Sequence, residues 1–204
     1  MAKARTATRK RRSKKTQSRR RSKSARNGSG RDDAISLLKS DHREVERLFA
    51  SFESARSEDR KQEIAAQVCE ALKAHTTIEE EVFYPAFLEA TGDTDIHHEA
   101  EIEHAGATHL IEEIEAAGPE DDHFDARISV LKEMIRHHVK EEEQRGGMFS
   151  KAQSSDMDLA ELGRQMTERK LEIMGEGSEG MGSRRPPSQG QGRTRRGTRE
   201  LTGR

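Results

Sequence analysis

Two histidine–glutamate pairs, each with a spacing of four residues, place the strongest constraint on how this 204-residue chain can fold. The pairs are His75 with Glu79 and His138 with Glu142. In an α-helix, residues i and i+4 lie on one face, so each pair would present an imidazole and a carboxylate side by side. Two such pairs on facing helices predict a metal centre between those helices.

The sequence from residue 32 to residue 174 predicts helices throughout. Proline occurs there only at Pro85 and Pro119, and no segment alternates apolar and polar residues with a period of two. Apolar residues recur instead at intervals of three and four in four segments, which are separated by short breaks. We expect an all-α protein built as an antiparallel up-and-down four-helix bundle, with a short fifth helix beginning near Ser155.

Capping and breaking residues set the limits of the predicted helices. We expect the helices to run from Asp32 or Asp33 to about Ser54, from beyond Arg60 to about Pro85, from Asp93 or Thr94 to Gly118, and from near Asp121 or Asp122 to Gly146.

Each of the four apolar stripes carries a histidine at a core position. His42 fills a gap in the first stripe, and His104 is in phase with the third. The two histidine–glutamate pairs continue the second and fourth stripes, whereas His137 lies about 100° away from the fourth stripe. The six candidate metal ligands are therefore His42, His75, Glu79, His104, His138 and Glu142.

Imidazole and carboxylate ligands together suit iron, zinc or manganese, and one carboxylate can bridge two cations. We expect two non-haem Fe ions, in preference to Mn or Zn. Taken singly, a histidine on an apolar stripe is more often a hydrogen-bonded core residue, but four histidines and two glutamates in one core need a counter charge. One alternative is a ferritin-like site, for which only Glu101 with His104 gives an inward E-x-x-H motif. In another alternative, the pair His137 and Glu141 binds the metal in place of the pair His138 and Glu142.

The ordered set of motifs between residues 33 and 150 resembles the hemerythrin HHE cation-binding family. The motifs are Ser40-Asp41-His42, Ala74-His75 through Glu79-Glu80-Glu81 to Phe83-Tyr84-Pro85, Glu103-His104, and His138-Val139 through Glu141-Glu142-Glu143 to Phe149. The resemblance implies a four-helix bundle around a non-haem di-iron site, with Glu79 and Glu142 matching the bridging carboxylates.

The third and fourth predicted helices depart from the pattern of the oxygen-carrying hemerythrins. Those proteins have two histidines one turn apart on the third helix, whereas Ala100 and Thr108 stand at that spacing from His104, and His109 lies about 140° around the helix. The fourth helix has a four-residue step to Glu142 instead of a five-residue step to aspartate, although Glu143 stands at that step. We therefore expect a centre one histidine short, with a position open to a small ligand.

An open position favours a protein that binds or reduces O2, peroxide or NO over a reversible oxygen carrier. Peroxidase-like, catalase-like and NO-reducing activities fit this hypothesis, while iron sensing, iron storage or O2 binding without turnover is the alternative. Tyr84 is the candidate catalytic residue, as a proton or electron donor, and its other interpretation is a packing aromatic.

Charge divides the chain into three parts. Residues 1–31 contain 14 Lys and Arg and no acid, residues 175–204 contain seven Arg and three Glu, and residues 32–174 contain 16 basic and 35 acidic residues, a net charge of −19. We expect a disordered basic arm, a single folded domain and a disordered Gly- and Arg-rich tail. The arm suits non-specific binding of DNA or RNA through counterion release, or else it folds back on the acidic domain.

Compartment is constrained weakly by composition. Cys69 is the only cysteine, and no apolar run approaches the roughly 18 residues that span a bilayer. We expect a cytoplasmic protein with no membrane partner, associated with the nucleoid if the arm binds DNA, and the sequence leaves its oligomeric state open.

Overall fold

The computed structural model describes residues 33–180, with side chains described as far as residue 175. These residues form seven α-helices and one π-helical turn, namely α1 Ala34–Ser54, α2 Glu58–Ile78, the π turn Glu79–Phe83, α3 Tyr84–Thr91, α4 Thr94–Ala117, α5 Phe124–Glu143, α6 Met148–Ser154 and α7 Leu159–Gly180. The predicted all-α helical bundle is confirmed. Among these helices, none is long and apolar enough to cross a membrane.

Two of the predicted segments fall largely or wholly outside this range. The basic arm at residues 1–31 lies outside the described residues, as does most of the tail predicted at 175–204. Helix α7 continues to Gly180, past the predicted boundary at residue 174.

Asp33 and Asp93 cap α1 and α4 where the sequence predicts, whereas α2 begins at Glu58, before its predicted start beyond Arg60. The carboxylate of Asp33 accepts a hydrogen bond from the backbone N–H of Ser36 at 2.8 Å, and Asp93 accepts one from Ile96 at 3.4 Å. Each of these bonds satisfies an N–H group that has no partner within its own helix. Before α4 the chain turns at Gly92, whose φ of +66° lies in the left-handed region that glycine adopts without steric strain.

The core of the bundle consists of two apolar layers with a polar layer between them. One apolar layer includes Val45, Phe49, Leu72, Ile111 and Leu131, and the other includes Leu38, Ile78, Phe83, Ala100 and Phe149. On α1, α2 and α4 the buried histidine falls between residues of the two apolar layers, and His138 on α5 falls between Leu131 of one layer and Met148 of the other, which follows α5 in the chain. The polar side chains therefore meet at one level, surrounded by hydrophobic packing on both sides.

The prediction that the second helix ends near Pro85 is wrong. The π turn ends at Phe83, two residues before Pro85, and the chain continues as α3 to Thr91. Within a regular α-helix, proline removes a hydrogen bond and clashes with the carbonyl group four residues earlier. In the π turn the N–H of Tyr84 bonds to the carbonyl of Glu79, five residues back, so Pro85 stands at the start of a new α-helical segment where its missing N–H is tolerated.

The segment after α5 differs from the prediction in two ways. The unpredicted helix α6 buries Met148, Phe149 and Ala152 against the rest of the bundle. The fifth helix, α7, is 22 residues long instead of short, and it buries Leu162 and Met166. The C-terminal half of α7 is largely polar and has no regular apolar stripe, so its helical length was not predictable from periodicity.

Candidate metal centre

All six predicted ligands lie in the polar layer, and none is more than 5% exposed. Their nitrogen and oxygen atoms form two groups that share Glu79, and within each group the atoms lie within 4.8 Å of one another. The first group contains His42, His75, Glu79 and Glu142, and the second contains Glu79, His104 and His138. The structure thus brings together side chains that are up to 100 residues apart in the sequence.

The four histidines form two pairs whose Nε2 atoms face each other. The Nε2 atoms of His42 and His75 are 3.2 Å apart, and those of His104 and His138 are 3.3 Å apart. Glu79 connects the two pairs, because its Oε2 lies 3.2 Å from Nε2 of His75 and 3.4 Å from Nε2 of His104.

Glu142 connects the same two pairs from the opposite helix. Its Oε2 lies 3.3 Å from Nε2 of His42 and 3.6 Å from Nε2 of His138. Each imidazole pair therefore faces both carboxylates, which is the arrangement expected of two cation sites bridged by two glutamates.

Unpartnered oxygen atoms indicate that this donor set fits a cation. Among the described residues 33–175, Oε1 of Glu79 and both carboxylate oxygens of Glu142 have no hydrogen-bond partner, and all three atoms are buried. A buried carboxylate without hydrogen bonds is strongly unfavourable unless a positive charge lies beside it. Imidazole nitrogens and carboxylate oxygens separated by 3.2 to 3.6 Å suit a shared cation with ligand distances of about 2.0–2.2 Å.

A ring of outer carboxylates surrounds the four histidines. Each histidine turns Nε2 inward and Nδ1 toward an acidic residue of a neighbouring helix. The distances from Nδ1 are 3.6 Å for His75 to Asp41, 3.0 Å for His104 to Glu80, 2.8 Å for His138 to Glu103 and 2.9 Å for His42 to Glu143. The three partners at 2.8 to 3.0 Å keep the proton on Nδ1, fix the ring orientation and leave Nε2 free to bind a metal, whereas Asp41 lies beyond the usual hydrogen-bond distance from His75.

Positive side chains support this outer ring. The ammonium group of Lys170 on α7 lies 2.7 Å from Oδ1 of Asp41, and both guanidinium nitrogens of Arg43 donate to Glu143, at 3.0 and 2.8 Å. Burial disfavours the charged form of Asp41, but interactions with His75 and Lys170 outweigh it and lower the pKa of that carboxyl. Helix α7 therefore contributes to the electrostatics of the centre as well as to the apolar core.

The π turn brings Tyr84 into contact with the second group. In a regular α-helix a residue five positions after Glu79 would lie about 140° around the axis, but the wider π turn moves it back toward the same face. The hydroxyl of Tyr84 lies 3.1 Å from Nε2 of His104 and 3.5 Å from Oε2 of Glu79, and its side chain is 1% exposed. Tyr84 thus adjoins His104 of the second group and the shared Glu79.

Strong electrostatic coupling accompanies this geometry. Burial opposes ionisation of Glu79, but the charge of His75 and bonds from His104 and His75 hold the pKa of Glu79 well below its usual value. Burial likewise opposes protonation of His75, yet Glu79 and Asp41 raise the pKa of His75 to about 10. Burial, followed by the charges of Glu79 and Glu142, raises the pKa of Tyr84 well above its ordinary value, so the phenol keeps its proton at neutral pH.

Several other sequence candidates lie away from the centre. The side chains of His137, His109 and Glu101 are 60%, 75% and 54% exposed. The ferritin-like alternative required Glu101 to point inward, so that alternative is wrong. Of the two positions one turn from His104, Ala100 is buried in an apolar layer and Thr108 is exposed.

The outer carboxylates and Lys170 were not singled out as site residues from the sequence. A signal for the carboxylates was nevertheless present, because every one of them is the immediate sequence neighbour of a candidate ligand: Asp41 of His42, Glu80 of Glu79, Glu103 of His104 and Glu143 of Glu142. Lys170 had no such signal, since the packing of α7 on α1 is not apparent from its sequence.

Comparison with known proteins agrees with this geometry. The model of the hemerythrin HHE cation binding domain family matches residues 33–146. A relative described as a DNA nickase, from Nostoc sp. (strain PCC 7120 / SAG 25.82 / UTEX 2576), is 31% identical over 107 residues, which make up 52% of this chain but only 30% of that protein.

A solved structure shares the fold. It is the crystal structure of a hemerythrin HHE cation binding domain-containing protein from Mycobacterium kansasii, and the comparison has a TM-score of 0.62 with 20% sequence identity. The similarity covers 74% of this chain and 93% of that chain. At this identity the likeness establishes the fold alone.

The metal-free protein should lose stability as the pH rises from 6.5 to 9. The folded protein raises the pKa of His75 from 6.5 to about 10, so the stability that its imidazolium contributes is fully present below pH 6.5 and is lost as the pH approaches 10. We expect the free energy of unfolding of the metal-free protein to fall by a few kcal/mol over this range, measured by urea denaturation at each pH. A stability that stays constant from pH 6.5 to 9 would contradict the coupling between His75 and the two buried glutamates.

Proposed function

Because this chain belongs to the hemerythrin HHE cation-binding domain family, we propose that its bundle holds two non-haem iron ions and that these bind or reduce a small oxidant. His42 and His75 would hold one ion, His104 and His138 the other, and Glu79 and Glu142 would bridge them. The observation that carries this proposal is that six buried side chains form two groups sharing Glu79, with carboxylate oxygens that have no hydrogen-bond partner.

The residues around the second group, Glu79, His104 and His138, support reduction of a small oxidant there. When bound, two ferrous ions can supply the two electrons that reduce one peroxide molecule to water, a reaction that also consumes two protons. The hydroxyl of Tyr84 lies within 3.5 Å of both Glu79 and His104, and its raised pKa keeps it protonated. We assign Tyr84 the role of a proton donor to a ligand bound beside His104.

The protein purified under aerobic conditions should contain close to two irons per chain and show near-ultraviolet charge-transfer absorption from the oxidised centre. His75→Ala and His138→Ala should each lose iron, because each removes a buried imidazole from one of the two groups. Metal analysis and absorption spectra of the three proteins measure both effects.

His109→Ala is the matched control for this iron measurement. His109 also precedes a glutamate by four residues, but its side chain is 75% exposed. It should keep the iron content of the wild type. Wild-type protein without iron, or iron that is unaffected by His75→Ala and His138→Ala, would overturn the proposed di-iron site.

Tyr84→Phe should keep its iron but consume peroxide more slowly. Loss of a positioned proton donor typically lowers a rate by about 10²-fold or more, while phenylalanine preserves the ring that packs on Phe83. The measurement is hydrogen peroxide consumption per bound iron as a function of pH. An unchanged rate and pH profile in Tyr84→Phe would leave Tyr84 as a packing residue, and absence of peroxide consumption in the wild type would favour iron storage, iron sensing or O2 binding without turnover.

We also propose that the N-terminal arm tethers the metal-binding domain to nucleic acid. Residues 1–31 carry 14 Lys and Arg and no acid, and the relative from Nostoc is described as a DNA nickase. Since the matched segment covers only 30% of that relative, the support it gives is for a link to DNA and not for nicking. Binding of this kind would be independent of sequence and would place the protein on the nucleoid.

Removal of residues 1–31 should abolish most DNA binding at low salt. The reason is that the arm supplies 14 cations, whereas residues 32–174 have a net charge of −19 and repel phosphate. Fluorescence anisotropy with labelled duplex DNA, titrated over a range of salt concentrations, measures the affinity of both forms. Equal affinities, or an affinity of the full chain that does not change with salt, would contradict the tether.

A further inference from the structure

A second histidine–glutamate pair on α5 lies one residue out of register with the metal centre. His137 and Glu141 repeat the four-residue spacing of His138 and Glu142 but face the protein surface. The Nε2 atom of His137 lies 3.5 Å from Oε1 of Glu141 and 3.4 Å from Oε1 of Glu103 on α4. Three ligand atoms from two helices therefore meet at one partly exposed point.

Glu103 connects this surface group directly to the metal centre. While its Oε1 faces His137, its Oε2 lies 2.8 Å from Nδ1 of the buried His138. One carboxylate thus contacts both an exposed histidine and a candidate ligand of the centre. The surface group also lies in the last turns of α5, where the partial negative charge of the helix C-terminus favours a bound cation.

A cavity of about 120 Å³ extends from Glu103 and Glu141 of this surface group to the buried Glu142. Four carboxylates line it, those of Glu99, Glu103, Glu141 and Glu142, and within the part of the chain that the structure describes no lysine or arginine does. Glu142 is 2% exposed, and neither of its oxygens has a hydrogen-bond partner. A small cation in this cavity would therefore be surrounded by negative charge and would reach an unpartnered buried ligand.

We propose that Glu103, His137 and Glu141 form a third, peripheral site for a divalent transition-metal ion, from which ions pass through the cavity to Glu142 and the centre. The imidazole selects transition metals over Mg²⁺ and Ca²⁺, which prefer oxygen ligands. An acidic cavity raises the local concentration of cations and so accelerates their capture. This inference rests on the proposed di-iron function, because it requires a centre that takes up metal.

Cobalt(II) binding to metal-free protein tests the third site. Equilibrium dialysis should show that the wild type binds one more Co²⁺ ion per chain than His137→Ala or Glu141→Gln does. In stopped-flow mixing, the visible absorption of Co²⁺ at the centre should develop at least about tenfold more slowly in both variants than in the wild type, because the capture step is lost. The final spectrum of the centre should be the same in all three proteins.

His109→Ala again serves as the control, since His109 and Glu113 have the same spacing but belong neither to the Glu103, His137 and Glu141 group nor to the residues that line the cavity. It should match the wild type in the amount of Co²⁺ bound and in its rate of binding. An unchanged number of bound ions or an unchanged loading rate in His137→Ala and Glu141→Gln would overturn the third site. A wild-type protein whose Co²⁺ spectrum does not depend on His75 and His138 would instead overturn the proposed metal centre itself.

Discussion

The burial of two glutamates in the middle of a helical bundle is the interaction on which the rest of this structure depends. Glu79 and Glu142 are 0% and 2% exposed, and the apolar layers on both sides of them contain no compensating charge of their own. Removing one partner from a buried ion pair typically costs about 3–5 kcal/mol of folding stability. These carboxylates therefore need positive charge beside them both with and without bound metal. Protons on His75 and His138, whose pKa values are raised, can meet this need in the metal-free protein, and metal ions would replace those protons on binding.

The outer carboxylates, Asp41, Glu80, Glu103 and Glu143, link the histidines of the centre to neighbouring helices. Each one orients a histidine of the adjacent helix, so the four helices are linked in a closed ring at the level of the centre: α1 to α2, the π turn to α4, α4 to α5 and α5 to α1. Arg43 and Lys170 then compensate two of these carboxylates at the surface. Because each link joins two helices, the packing of the bundle and the geometry of the centre depend on each other.

Most of the helical frame followed from the sequence, because the four-residue spacing of histidine and glutamate coincides with the periodicity of the apolar stripes. The same phase argument separated the buried His138 from the exposed His137. It failed at Pro85 because a π turn changes the number of residues per turn, and the hydrogen bond that defines it is visible only in three dimensions. The contact of Tyr84 with His104 depends on that turn, and the contribution of Lys170 depends on how α7 packs, so neither was accessible from periodicity alone.

The most direct test of the account is the position of iron in crystals of the iron-loaded protein, determined by anomalous diffraction at the iron absorption edge. The account predicts two anomalous peaks, one beside the Nε2 atoms of His42 and His75 and one beside those of His104 and His138, with Glu79 in contact with both. A single peak, or peaks that avoid Glu79 and Glu142, would contradict it.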